Sequence, residues 1–123
     1  MRKQYYFRPS DRGLLSWDVD RLVELSQSLP RKRVPLSAIR ELDEIWVSDD
    51  EPLTWRMIVA HMELIEAADL SFPIILSAAG AVMDGMHRVA KAVMEGREEI
   101  EAVQFDEDPA PDHVGLGPNE LPY

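Results

Sequence analysis

The sequence predicts a small α+β domain, and three observations carry that reading. Short apolar runs bounded by Pro, Gly or acidic residues read as strands too brief for a doubly wound sheet. Two longer segments repeat their apolar residues at helical spacing. Between them and the end of the chain, Pro73 to Gly96 reads as strand, strand, glycine turn and helix. The predicted order is helix, strand, brief helical turn, helix, two strands, helix and strand.

Residues 1–15 hold Tyr5, Tyr6 and Phe7, expected to pack the terminus onto the body, and a turn-like Pro9-Ser10-Asp11-Arg12-Gly13. Ser16 is the predicted N-cap of the first helix, with Asp18 and Asp20 in a first turn that favours acids. Val19, Leu22, Val23, Leu25 and Leu29 keep a mostly helical face as far as Pro30. Arg33-Val34-Pro35-Leu36 reads as a strand, and Ser37 as the cap of a brief turn over 38–41. Residues 42–53 are acidic and irregular, a predicted exposed loop anchored by Trp46.

Thr54 is the predicted cap of the clearest helix, in which Trp55, Ile58, Val59, Met62 and Ile65 form one stripe toward a core. A hairpin is expected over Ile74–Ser77 and Ala81–Met83, closed by Ala78-Ala79-Gly80. A helix from about His87 to Glu95 ends at Gly96, and a last strand runs from Ile100 to Phe105. The chain thus divides into a single domain over 1–108, with its core at about 33–105, and a Pro-rich acidic tail over 109–123. That tail is expected to be extended and to bury little.

Charge narrows the function classes. The net charge is −10, yet residues 1–40 carry nine Lys/Arg against four Asp/Glu, and residues 41–123 carry four against nineteen. Polyanion binding depends on neutralising phosphates with a basic face, so DNA binding or nuclease action is the weakest alternative. Arg31-Lys32-Arg33 reads as a solvated turn, against the alternative of a small basic patch. The absence of cysteine removes disulfides, thiolate catalysis and thiolate metal sites. His61, His87 and His113 lack metal-ligand spacing, and no dedicated metal site is expected. Nothing near the N-terminus reads as a secretory signal and no run is long enough to span a bilayer, so a cytoplasmic protein with no membrane partner is expected. No Walker loop, Rossmann fingerprint or nucleophile elbow is present.

The candidate site is Asp84-Gly85-Met86-His87-Arg88. Asp-Gly is a strong hairpin signal, but the residues after it do not alternate. Val89, Ala90, Val93 and Met94 share a helical face. Gly85 then allows a positive φ and a close approach to the backbone. The N–H groups of Met86, His87 and Arg88 need a cap or a ligand, because the first turn of a helix has no intrahelical acceptors for them. An anion, in particular a phosphate, suits such a place. Asp84 is read either as the cap or as a carboxylate joined to phosphate through Mg²⁺. Arg88 suits bidentate phosphate binding, against the alternative of an ion pair with Asp84.

Val34-Pro35-Leu36-Ser37-Ala38-Ile39, Pro73-Ile74-Ile75-Leu76 and Gly80 to Ala92 resemble the core of the ParB/sulfiredoxin-like superfamily. Its members carry a strand, a Gly-x-His-Arg or Gly-Glu-Arg-Arg box, and an Ala-rich helix. The resemblance covers roughly residues 33–105. It implies a compact fold with a short mixed sheet, in which Gly85, Met86, His87 and Arg88 lie at a nucleotide phosphate. ATP, ADP or CTP with Mg²⁺ is the implied cofactor class.

Two departures matter. Met86 stands where sulfiredoxins have their cysteine, and 123 residues leave no room for the DNA-binding and dimerisation domains of partition proteins. Free-serine kinases of the superfamily match the Gly-x-His-Arg form better and use a glutamate base. The resemblance therefore points to Glu41, Asp43 and Glu44 as carboxylates to test, with Glu44 and Asp43 as base or Mg²⁺ partner and His87 on a phosphate or leaving oxygen. The expected function is binding of a nucleotide or phosphorylated ligand, extending to a phosphotransferase or nucleotide hydrolase. The alternative is a non-enzymatic protein-interaction module, and a homodimer is compatible with either.

Overall fold

The computed structural model describes residues 3–45 and 53–123 and shows a small α+β domain. Its centre is a four-stranded mixed sheet in the order β3-β6-β4-β5, formed by Lys32–Pro35 (β3), Ile74–Leu76 (β4), Val82–Asp84 (β5) and Glu99–Gln104 (β6). β4 and β5 make the expected hairpin. Helix α3, Met86–Met94, then carries the chain back so that β6 runs parallel to β4, pairing Ile74 with Ala102. β3 closes the other edge antiparallel to β6.

Side chains alternate across a strand, and this alternation divides the core in two. Ile74, Leu76, Val82, Ile100 and Ala102 point to one face, where Val89 and Ala92 of α3 and Leu36 and Ile39 cover them. Ile75, Met83, Val103 and Phe105 point to the other face and meet Trp17 and Leu22. The sheet is thus buried on both sides, which is why β4 reads as an unbroken apolar run rather than an alternating one.

The second face is covered by elements that the sequence reading did not foresee. Tyr5–Ser10 (β1) and Gly13–Asp18 (β2) form an antiparallel hairpin, in register from Tyr5–Asp18 to Ser10–Gly13. Ser16 lies inside β2 and is fully buried, so it is not the helix cap. Asp18 is, its carboxylate accepting from Asp20 N at 2.9 Å. Helix α1 runs only over Val19–Ser26 and stops four residues before Pro30. Ser37 also caps nothing: residues 36–38 and 40–43 form two 3-10 turns without side-chain caps. The loop anchor expected at Trp46, with Asp49, Asp50 and Glu51, lies outside the described residues.

Helix α2, Trp55–Ala67, begins where expected, with Thr54 Oγ1 accepting from Met57 N at 3.1 Å. Its orientation differs from the predicted stripe. Trp55 is 83% exposed, and Val59 and Met62 also face outward. The more covered positions are Met57, Ile58, His61 and Ile65. α2 lies against α3 rather than the sheet, and Lys91 Nζ ties the two by donating to Glu66 O and Ala68 O at 2.8 and 2.7 Å. The helix C-terminus supplies unpaired carbonyls with a negative partial charge, which a lysine satisfies.

The tail is more engaged than its composition suggests. His113–Val114 (β7) adds a third strand to the hairpin, in the order β1-β2-β7. Trp17 Nε1 donates to Pro109 O at 2.8 Å, Asp18 N donates to an Asp112 carboxylate oxygen at 2.8 Å, and Tyr5 Oη donates to Pro122 O. Leu121 is 6% exposed. Truncating a buried leucine to alanine costs about 2–5 kcal/mol. We expect Leu121→Ala to lower the unfolding free energy measured in urea by an amount in that range, and an unchanged midpoint would show that the tail is not docked.

Candidate functional site

The candidate site sits where β5 ends and α3 begins. Gly85 is the N-cap residue, with φ 110° and ψ 22°, the left-handed region that residues with a Cβ rarely adopt. Space is as restrictive as conformation. A Cβ at position 85 would lie 2.6 Å from Ile74 Cγ2 and 3.1 Å from Arg88 Nη2. The sheet and the Arg88 side chain therefore both close on this glycine.

α3 starts one residue earlier than expected, at Met86, and it has no side-chain cap. This settles the first alternative for Asp84: its carboxylate does not cap the helix. It accepts from Arg88 Nη2 at 2.8 Å, an i,i+4 pair whose side chains keep 20% and 17% exposure. Arg88 Nη1 donates to Pro73 O at 3.0 Å. The guanidinium thus folds back across the turn and links the end of β5, the start of β4 and the first turn of α3. Among the described residues, the backbone N–H groups of Met86, His87 and Arg88 form no hydrogen bond.

His87 turns toward α2. Its Nε2 lies 2.9 Å from His61 Nδ1, and the rings stack with centroids 5.2 Å apart and planes 21° apart. Burial holds the His87 pKa below the ordinary histidine value, and the neighbouring His61 lowers it further, with Asp84 acting in the opposite direction. One ring nitrogen of the contact must donate and the other accept, and the tautomers set which is which. Sequence spacing could not reveal this contact, because residues 26 apart meet only through helix packing.

The remaining candidates separate from the turn. Asp43 and Glu44 are exposed and form no side-chain hydrogen bond among the described residues. Glu41 is the carboxylate drawn into the fold: one oxygen accepts from Val82 N at 2.6 Å and the other is buried without a partner. It meets β5 at Val82, the opposite end of the strand from Asp84. No cluster of three metal-ligating side chains occurs among the described residues. Mg²⁺ fits Asp84 poorly, since a cation there would stand beside the Arg88 guanidinium.

A cleft of about 460 Å³ opens on the α1 side of the same turn. Val23, Leu29, Phe72, Ile75 and Val103 line it together with Asp84 and Arg88. No described helix is long and apolar enough to cross a membrane. Comparison with family models, with curated proteins and with solved structures finds no match.

Two outcomes follow from this geometry. Gly85→Ala combines a left-handed alanine with a contact on the fully buried Ile74, and the expected loss is about 2–4 kcal/mol in denaturant unfolding. A loss under a few tenths would mean that the turn relaxes freely. The second concerns pH. The folded state binds fewer protons than the unfolded state around His87, so this contribution is complete above about pH 6.5 and is lost as pH falls toward the depressed value. Melting temperature should therefore drop between pH 7.5 and 5.5, and His87→Gln should lessen the drop. An identical pH slope in the variant would remove the histidine pair as its cause.

Proposed function

We propose that the chain is a ParB/sulfiredoxin-like binding domain that holds a phosphorylated compound or a nucleotide where α3 begins. The supporting observation is the opening of α3 itself. Gly85 takes a left-handed turn, the next three amides make no hydrogen bond among the described residues, and a guanidinium lies against the same turn. A helix start favours negative charge, and an arginine can add hydrogen bonds to a phosphate. The domain class rests on the residues that resemble the superfamily, from Val34 to Ile39 and from Pro73 to Ala92.

In this reading the protein binds its ligand without transforming it. Asp43 and Glu44, the carboxylates considered as a base, are not hydrogen-bonded to the turn. The Nε2 of His87 is engaged by His61, so that nitrogen would meet a leaving oxygen only after the pair had opened. Asp84 competes with any anion for Arg88, because both are acceptors for the same N–H groups.

A second reading is a protein-interaction module, and one observation favours it. Trp55, Val59 and Met62 make an outward apolar face on α2, while Arg88 is held by Asp84 and Pro73. Here the Gly85 turn would serve structure alone.

Calorimetric titration with pyrophosphate, ATP, ADP, CTP and GTP, with and without Mg²⁺, separates the two. The binding reading expects a measurable affinity that Arg88→Ala abolishes. It also expects Asp84→Asn to strengthen anion binding about three- to tenfold, since removing the carboxylate releases Arg88 and ends a repulsion. No heat with any of these compounds, in either the natural protein or Asp84→Asn, would leave only the interaction module.

A further inference from the structure

The cleft beside the turn bears on what kind of phosphate compound fits. Its volume of about 460 Å³ lies in the range of pockets that enclose a small organic ligand. Its walls are mostly apolar, from Val23 and Leu29 on the α1 side to Ile75 and Val103 on the sheet. Ile75 and Val103 belong to the face of the sheet that α1 and the hairpin cover, so the cleft borders that second core. Phe72 and Pro73 close the end where β4 begins.

Polar chemistry is concentrated at this same end. Arg88 uses one N–H for Asp84 and one for Pro73 O, leaving three of its five donors without a partner among the described residues. Only one Asp84 oxygen takes part in the pair. The pair is therefore singly bonded rather than bidentate, and the residue that carries the spare donors lines the cleft. The same guanidinium is 3.1 Å from the place of a Cβ on Gly85, so it borders the cleft and the helix opening together. Arg31 lies on the wall, held by Ser71 O at 3.0 Å and Glu101 at 3.2 Å.

We infer that this cleft receives the body of the ligand whose phosphate lies at Arg88, and that the ligand is a phosphomonoester with an apolar or aromatic body. The inference rests on the phosphate-binding reading above and adds the chemistry of the attached group. Bare phosphate gains the charge contacts alone, whereas an aromatic ester also removes apolar surface from water against Ile75, Val103 and Leu29.

Titration with inorganic phosphate and with phenyl phosphate tests this on the full chain. Phenyl phosphate should bind at least about tenfold more tightly. Val23→Trp and Gln27→Trp place bulk on the α1 side of the cleft from positions that are exposed, and each should erase that advantage. Melting curves of both variants verify that they fold. Equal affinities for the two compounds in the natural protein would overturn the cleft assignment and leave the phosphate reading intact. An advantage that survives both tryptophan variants would place the ring elsewhere and also overturn it. Failure of both compounds to bind would overturn the cleft assignment, while the titrations with pyrophosphate and nucleotides decide the phosphate reading separately.

Discussion

A methyl group cannot be placed at position 85 without striking Ile74, and much of the architecture follows from that contact. The left-handed turn at Gly85 redirects the chain from an edge strand into α3 within one residue. Because the turn is this tight, Val89 and Ala92 reach the sheet over Ile74, and Arg88 can fold back to Asp84 and Pro73. A wider connection would lower α3 less directly onto β4 and would move the guanidinium away from the strand ends. One close approach thus joins core packing to the arrangement of the candidate site.

The charges around that turn are balanced against one another. Arg88 is partly buried, and a guanidinium taken out of water needs acceptors, which Asp84 and Pro73 O supply. The same partners that make its position affordable also limit its freedom to take a ligand. His87 likewise ties two elements together, since its contact with His61 couples the first turn of α3 to α2. Lys91 repeats the connection one helical turn further along α3 by satisfying the end of α2. α2 is accordingly attached by polar contacts with α3 and retains an apolar outer face.

The second face of the sheet shows how distant parts of the chain complete one core. Trp17 from β2, Leu22 from α1 and Phe105 after β6 meet over Ile75, Met83 and Val103. The C-terminal residues then bind across the hairpin through Pro109 O, Asp112 and β7. Arg8 and Asp108, paired at 2.9 Å, close the same seam, and Asp108 also accepts from Ala78 N in the β4–β5 loop. Much of this seam is made by backbone and charge, and its residues bear no periodic apolar signal.

The sequence by itself determined the elements whose information is local. Thr54 marks the start of α2, Gly85 marks the strand-to-helix turn, Gly96 lies just beyond α3, and the β4 run is short and apolar. Each depends on a cap, a backbone conformation or a burial pattern that neighbouring residues specify. The α+β class and the place of the candidate site were legible for that reason. Only the tertiary structure decided that Tyr5 to Asp18 pair as a hairpin, that Trp55 faces outward, that His61 meets His87, and that Asp84 serves Arg88 instead of the helix. Those outcomes depend on which surfaces meet. A helical stripe does not say which neighbour it will face, and a carboxylate beside both a helix start and an arginine goes to the partner that packing brings within reach.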